Sequence, residues 1–333
     1  MGTGILLCAV GAGLWLSRPP TPIASTTVLW AMPKGEPISH IAFGERDEVW
    51  AAQGRDGRLQ VVNLSREKAE GPRFSIGNHK PAGLAIRNST AVIAAVPDSP
   101  PKGPVTIWDG RAGQLFRLYS DPTHVHESPK IIRLANDGRR LAVQWFAGPL
   151  EVWDLETGAR LMNLPDSGTR AVTFGNQGQW IAAGGGQAVR VWRISDPPEL
   201  IHETTLGGAS VVELAFAPDD SAIAAATHQG VWLWDLQQTP DAPRLLVNAE
   251  HGANQIALGA NGNPLVWRAS GEIYVYQEGR RSLCLERPKA EKYYERVEII
   301  QLQLSPDGRS IAGLSTDDSV VIWMLPTNTG PTL

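Results

Sequence analysis

The chain has 333 residues, with 30 Lys plus Arg against 34 Asp plus Glu and a formal net charge of −4. That balance offers no cationic footprint for a phosphate backbone, which disfavours nucleic acid as a partner. The two cysteines, Cys8 and Cys284, lie at opposite ends, so neither a disulfide framework nor a Cys-based metal site is implied.

The N-terminus is apolar from Gly2 to Leu16, with no charge before Arg18. This is about 15 residues, somewhat short of the roughly 17 to 25 that cross a hydrocarbon core as a helix. Residues 1–17 read first as an uncleaved membrane anchor, tethering the chain through residues 2–16. A cleaved signal, giving a secreted or periplasmic protein, and a disordered apolar tail are the alternatives. Arg18 and Lys34 are the nearby cations and leave the side of the membrane open. Residues 18–25 form a linker, and Thr26–Met32, "TTVLWAM", reads as a strand with no neighbour in sequence.

From there the chain repeats itself. Twelve Trp against six Phe is an unusual balance, and the reason is a strand ending in an aromatic residue: "VTIWDG", "LEVWDL", "VRVWRI", "VWLWDL" and "VVIWML", with weaker copies "LQVVNL" and "IYVYQE". Aligned at positions 62, 108, 153, 192, 234, 276 and 323, the seven copies are spaced 46, 45, 39, 42, 42 and 47 residues apart, the period of a four-stranded propeller blade. Each copy follows a polar turn, such as "NDG" at Gly138, "NQG" at Gly178, "PDD" at Asp220 and "PDG" at Gly308. Residues of these types supply the backbone dihedrals that reverse a chain between strands. Short alternating segments flank the turns, and a fourth strand follows six of the seven aromatic strands, from "PRFSI" to "SLCLER". The last copy lacks one. The lone N-terminal strand can supply it, joining the chain ends and removing an open sheet edge. The expected fold is all-β: one seven-bladed β-propeller over residues 26–325 with the N-terminal strand closing the last blade, and a tail over 326–333.

Between the strands lie the candidate functional segments. "DSPPKGP" (Asp98 to Pro104) is a Pro-rich insertion. "HVHE" (His124 to Glu127) carries metal-ligand residue types, but lacks a clear fourth ligand, and no metal site is assigned. "FAG" after Trp145 and "THQG" at Thr227 to Gly230 are short turns. "AAGGGQ" at Ala182 to Gln187 sits between two strands, where a tight hairpin is the better reading than a nucleotide site. "RPKAEKYYERVE" (Arg287 to Glu298) is the longest mixed-charge insertion. A solvated connection is the plainer reading there, while Tyr and Arg are enriched at interface hot spots. No phosphate-cradling loop, paired-His helix, nucleophile elbow or calcium loop is present, and no cofactor is implied.

The repeated Trp-Asp endings resemble the WD-repeat β-propeller family, as divergent, bacterial-type repeats, over about Thr26 to Leu325. The ending is intact at Trp108-Asp109, Trp153-Asp154 and Trp234-Asp235 and degraded at Trp192-Arg193 and Trp323-Met324. In that family an Asp six residues ahead of the Trp joins a hydrogen-bonded set with a His and a Ser or Thr. Here only Asp317 stands at that place, so blade cohesion is expected to rest on apolar packing. Trp232 and Tyr274, two residues ahead of their aromatics, share a face with them and are expected to thicken the packing between blades.

The resemblance implies a non-catalytic scaffold: a monomeric disc whose loops dock a protein or peptide. The expected contact residues are Trp145, Phe146, His228, Lys292, Tyr293, Tyr294 and Arg296. The alternatives are an enzyme-type propeller or small-ligand sensor using the central channel, and the sensory domain of a longer signalling protein. A channel site calls for His, Asp or Arg side chains converging at one mouth. The innermost strands, read as "HIAF", "IIRL", "AVTF", "ELAF" and "QIAL", offer few of them.

Overall fold

The structure is a computed structural model that describes residues 28–30, 37–44, 48–55, 57–66, 68–69, 73–77, 79–87, 90–97, 105–110, 112–119, 129–146, 148–165, 168–175, 178–237, 243–248, 252–260, 265–269, 272–276, 283–285 and 298–325. The strands form seven antiparallel sheets, each sheet one blade. The inner strands are Ile38–Phe43, His79–Arg87, Pro129–Leu134, Ala171–Phe174, Val211–Phe216, Gln255–Leu258 and Ile299–Leu304. Each packs against the inner strand of the next blade, and the strands of blades 7 and 1 meet to complete the ring.

The lone N-terminal strand takes the expected place. Val28–Trp30 pairs antiparallel with the third strand of blade 7, with Val28 opposite Ile322 and Trp30 opposite Val320. Blade 1 departs from the expected pattern. Its outer edge is split into two short strands, Lys68–Ala69 and Phe74–Ser75, both paired with Arg58–Asn63.

The polar turns between first and second strands share one hydrogen-bonded form. Ala135, Gly175, Ala217 and Ser305 each donate an N–H to the carbonyl five residues on, at 2.8 to 2.9 Å. The residue three along adopts a positive φ in each, at Gly138, Gly178, Asp220 and Gly308. Glycine takes that conformation without steric cost, and Asp tolerates it better than most residues. On the same face the Asp of each intact Trp-Asp pair caps the turn into the fourth strand. Oδ1 of Asp109 accepts the Ala112 N–H at 2.7 Å, that of Asp154 the Thr157 N–H at 2.6 Å, and that of Asp235 the Gln237 N–H at 2.9 Å.

Seven apolar clusters hold the disc together, one at each junction between blades. The second strands are rich in Ala and Gly because bulky side chains of the neighbouring strands lie against them. A Cβ on Gly313 would come within 2.7 Å of the Trp323 ring, and one on Gly184 within 2.7 Å of Val211. Trp323 is wholly buried and Trp50, Trp145, Trp192, Trp234 and Trp267 nearly so. Burying an indole removes about 150 to 250 Å² from water, roughly 4 to 6 kcal/mol at most by area. Trp232 and Tyr274 pack into the clusters between blades 4 and 5 and between blades 5 and 6, and Tyr274 stacks on Trp267 at 5.4 Å. Asp317 makes no long-range clamp among the described residues. Its Oδ1 accepts the Ser319 hydroxyl at 2.7 Å, a local turn bond.

Candidate functional site

In an antiparallel blade the connections from second to third strand, and those from one blade to the next, leave by the same face. We call this the upper face. Phe146, His228, the ends of segment 98–104 and the ends of segment 286–297 all belong to it. Residues Lys292, Tyr293, Tyr294 and Arg296 lie outside the described residues, as do His124, His126, Glu127 and the apolar segment 2–16.

The turn of blade 3 is braced from within. Buried Gln144 donates through Nε2 to the carbonyls of Trp145 at 3.0 Å and Gly148 at 2.6 Å. The structure corrects the expectation of an accessible Trp145. Its indole is only 2% exposed, and Nε1 donates at 2.8 Å to Oε2 of Glu151. The second strand runs as far as Arg140–Trp145, so the alternation of side chains turns Trp145 into the junction between blades and leaves the next residue outside. Phe146 is 64% exposed. His228 is exposed in a turn set by Thr227, whose Oγ1 donates to the Gly230 carbonyl at 2.9 Å and accepts the Gly230 N–H at 3.1 Å. Lys130 and Arg170 add exposed positive charge on blades 3 and 4, and Lys130 Nζ donates to the Thr169 carbonyl at 2.8 Å across that junction.

Below this rim opens the central channel, a cavity of about 840 Å³ lined by all seven inner strands. Five of those strands carry a β-bulge near their upper end, at Ile38/His40, Pro81/Gly83, Pro129/Ile131, Val211/Glu213 and Ile299/Gln301. Counting back from the lower turn, the residue just past the bulge position is His40, Gly83, Ile131, Ala171, Glu213, Gln255 or Gln301. These residues stand at one level of the channel. Two residues further down, Arg133 and Gln303 are the long polar side chains.

The polar members of the upper level bridge blades. Gln301 pairs with the backbone of Ile41 in both directions: Oε1 accepts the N–H at 2.9 Å and Nε2 donates to the carbonyl at 3.0 Å. Glu213 reproduces half of that arrangement two blades away, where Oε2 accepts the Ile256 N–H at 3.1 Å. Gln303 accepts the Phe43 N–H at 3.3 Å, and Gln255 Nε2 donates to the Ile300 carbonyl. His40 Nδ1 and Gln255 Oε1 are shut off from solvent and have no hydrogen-bond partner among the described residues, as is true of several other buried polar atoms such as Nδ2 of Asn63.

The charges interact across the opening. Burial, reinforced by the nearby Arg133 charge, lowers the His40 pKa to about 4, so the ring is neutral at pH 7. Burial pushes the Glu213 carboxyl up, opposed by Arg133, the Ile256 N–H and Arg268. Arg133, on blade 3, lines the channel, and its charge acts on His40 of blade 1 and on Glu213 of blade 5. Nη1 donates to the Ile132 carbonyl at 3.1 Å, and no carboxylate lies within ion-pair distance among the described residues.

The channel thus holds a denser polar set than the strand sequences suggested. His40, Glu213 and Gln255 open or border the segments quoted above, and Arg133 sits within one of them. The sequence signal was a polar residue four to the N-terminal side of the turn in four of the seven inner strands, at His40, Glu213, Gln255 and Gln301. Among the described residues no cluster of His, Cys, Asp and Glu could hold a metal ion, and no helix is long and apolar enough to cross a membrane.

No family model matches the chain. Over 111 residues, 32% of its length, it is 28% identical to the WD repeat and SOCS box-containing protein 1 of Mus musculus and 29% identical to that of Homo sapiens. The match spans about a quarter of those relatives, 26% of each. This weak similarity joins the ring of seven blades in supporting a WD-repeat type of propeller.

Proposed function

We propose that the chain is a non-catalytic interaction scaffold that docks a protein or peptide on its upper face and is tethered to a membrane by residues 2–16. The observation that carries the reading is the contrast at blade 3. Gln144, Trp145 and Glu151 lock the turn from beneath, while Phe146 stands 64% exposed at its tip. A rigidly held aromatic side chain on a surface loop is the kind of anchor that dominates interfaces, because little conformational entropy is lost when it is covered. His228 presents a polar group on an equally fixed turn, and the sequence of segment 286–297 adds Lys292, Tyr293, Tyr294 and Arg296. WD-repeat similarity supports the same class of function.

The test is proximity labelling with the full chain, comparing wild type, Phe146→Ala with His228→Ala, and a variant whose 287–298 segment is replaced by a Gly/Ser linker. Loss of a common set of labelled proteins in either variant is the expected result. An unchanged set in both would overturn the docking surface. Flotation with liposomes, with and without residues 1–17, tests the tether separately.

A further inference from the structure

We propose that Glu213 is a proton-operated latch between blades 5 and 6: uncharged, it bridges to both the N–H and the carbonyl of Ile256, and on ionisation it keeps the N–H bond alone. The latch goes beyond the rim reading and stands without it, because it needs no partner.

The comparison with blade 7 carries the argument. Gln301 and Glu213 occupy the same place, just past the bulge of their inner strands. From there each reaches the inner strand of the next blade, and the residues they meet, Ile41 and Ile256, also correspond. In a strand the N–H and C=O of one residue leave by the same edge. The Gln301 amide meets both: Oε1 accepts the Ile41 N–H at 2.9 Å, and Nε2 donates to the Ile41 carbonyl at 3.0 Å. Glu213 Oε2 accepts the Ile256 N–H at 3.1 Å, so the Ile256 carbonyl is directed to the side where Gln301 presents its NH₂ group. An ionised carboxyl can only accept, and it sets negative charge against that carbonyl. A protonated one carries an O–H and becomes the chemical match of the amide.

The surroundings favour the proton. The strands packed against Val211–Phe216 are Ala171–Phe174, Trp180–Gly185, Ala222–Thr227 and Gln255–Leu258, and none of them carries an ionisable side chain. Arg170 and His228 stand just past the ends of two of these strands, exposed on the upper face. Arg133 and Arg268 are the charges that act on Glu213, and Arg268 also faces Glu298 at 4.0 Å. Burial pushes the Glu213 pKa up against the pull of Arg133, the Ile256 N–H and Arg268. The latch also lies close to the upper face. Glu213 is opposite Ala226, and the next residue, Thr227, opens the turn that presents His228 and accepts the Ala253 N–H of blade 6 at 2.8 Å. A carboxyl whose pKa is raised by folding adds stability in full below its ordinary value. That contribution is lost as the pH rises through the raised value.

The experiment compares the full chain, kept in detergent, with Glu213→Gln and Gln301→Glu. Carbon-13 NMR follows the Glu213 carboxyl and the Ile256 carbonyl across a pH titration, and urea denaturation at each pH gives the unfolding constants. The two resonances are expected to move together, with one midpoint above the ordinary Glu value of 4.5. Glu213→Gln keeps both bonds at every pH. Above the midpoint it is expected to unfold less readily than wild type by about two- to tenfold, the net worth of one hydrogen bond, and the gap shrinks as the pH falls toward 4.5. Gln301→Glu moves the device to the junction of blades 7 and 1. It is expected to be less stable than wild type at high pH, with that gap closing on acidification. A Glu213 carboxyl that titrates at or below 4.5, or an Ile256 carbonyl that does not follow it, would overturn the latch. So would a Glu213→Gln protein that is less stable than wild type, or one whose difference from wild type is the same at every pH. None of these readouts involves a docked partner, so failure of the rim reading and failure of this one are separable.

Discussion

At the scale of single residues, the fold settles polar groups that its apolar junctions would otherwise leave stranded. Glu151 is the sharpest case. Its side chain is wholly inaccessible, yet it accepts from Trp145 Nε1 at 2.8 Å and from Arg160 Nη1 at 2.9 Å. Removing the carboxylate would take away an acceptor of a buried indole N–H and a negative charge beside a guanidinium. Arg160 is 40% exposed, so water can take over part of its solvation. Glu151→Ala is therefore expected to cost about 2 to 3 kcal/mol, less than the full loss of a deeply buried pair. Glu151→Gln, which retains an acceptor for Trp145, should cost about half as much. Urea denaturation followed by circular dichroism would measure both, and a cost below about 0.5 kcal/mol for the Ala variant would contradict the role assigned to this carboxylate.

At the scale of elements, the blade closed by two distant parts of the chain is the most revealing. Among the described residues, Val28–Trp30 alone covers the outer edge of blade 7, with three residues in register, whereas the outer strand of blade 4, Glu199–Thr205, pairs along its length. Truncation to residue 31 removes that cover. The loss of its backbone hydrogen bonds should cost about 2 to 3 kcal/mol and leave an edge able to pair with another chain. Truncation to residue 25 should do neither. Denaturation together with sedimentation velocity distinguishes the two, and identical behaviour of both truncations would show that this strand does not close the ring. The same element shows why the fold was legible in sequence: a missing fourth strand at one end and an unpaired strand at the other are both visible in a repeat of fixed period. The channel was not legible for the opposite reason. A bulge is a property of pairing between strands, so nothing local in "HIAF" or "ELAF" announces that His40 and Glu213 stand at one level of a common opening. Trp145 was misplaced by a single residue of alternation, since the end of its strand is fixed by the carbonyl bonds of Gln144.

At the scale of the whole molecule, the chain crosses every junction of the ring, because Val28–Trp30 lies on blade 7 and leads on to the inner strand of blade 1, and the two ends of the chain meet by strand pairing within blade 7. At the junction of blades 7 and 1, the seam next to that closure, the channel side chains concentrate their bonds. Gln301 makes two to Ile41 and Gln303 one to Phe43, while Glu213 makes one at the junction of blades 5 and 6. The apolar cluster at the seam, built around Ile41, Val49, Leu314 and Val320, gives cohesion without direction. The amide bonds fix the height of one inner strand against the other, as a strand-to-strand ladder would. If the seam is where the disc opens first, weakening it should lower protection locally before it lowers global stability. Gln301→Ala is then expected to cost about 1 to 3 kcal/mol and to speed amide exchange chiefly in the inner strands of blades 1 and 7. Gln255→Ala, whose bond goes to Ile300 at the junction of blades 6 and 7, should leave exchange in blade 1 closer to wild type. Native-state hydrogen exchange resolves the comparison: equal, ring-wide acceleration in the two variants would mean that the seam opens no more readily than any other junction.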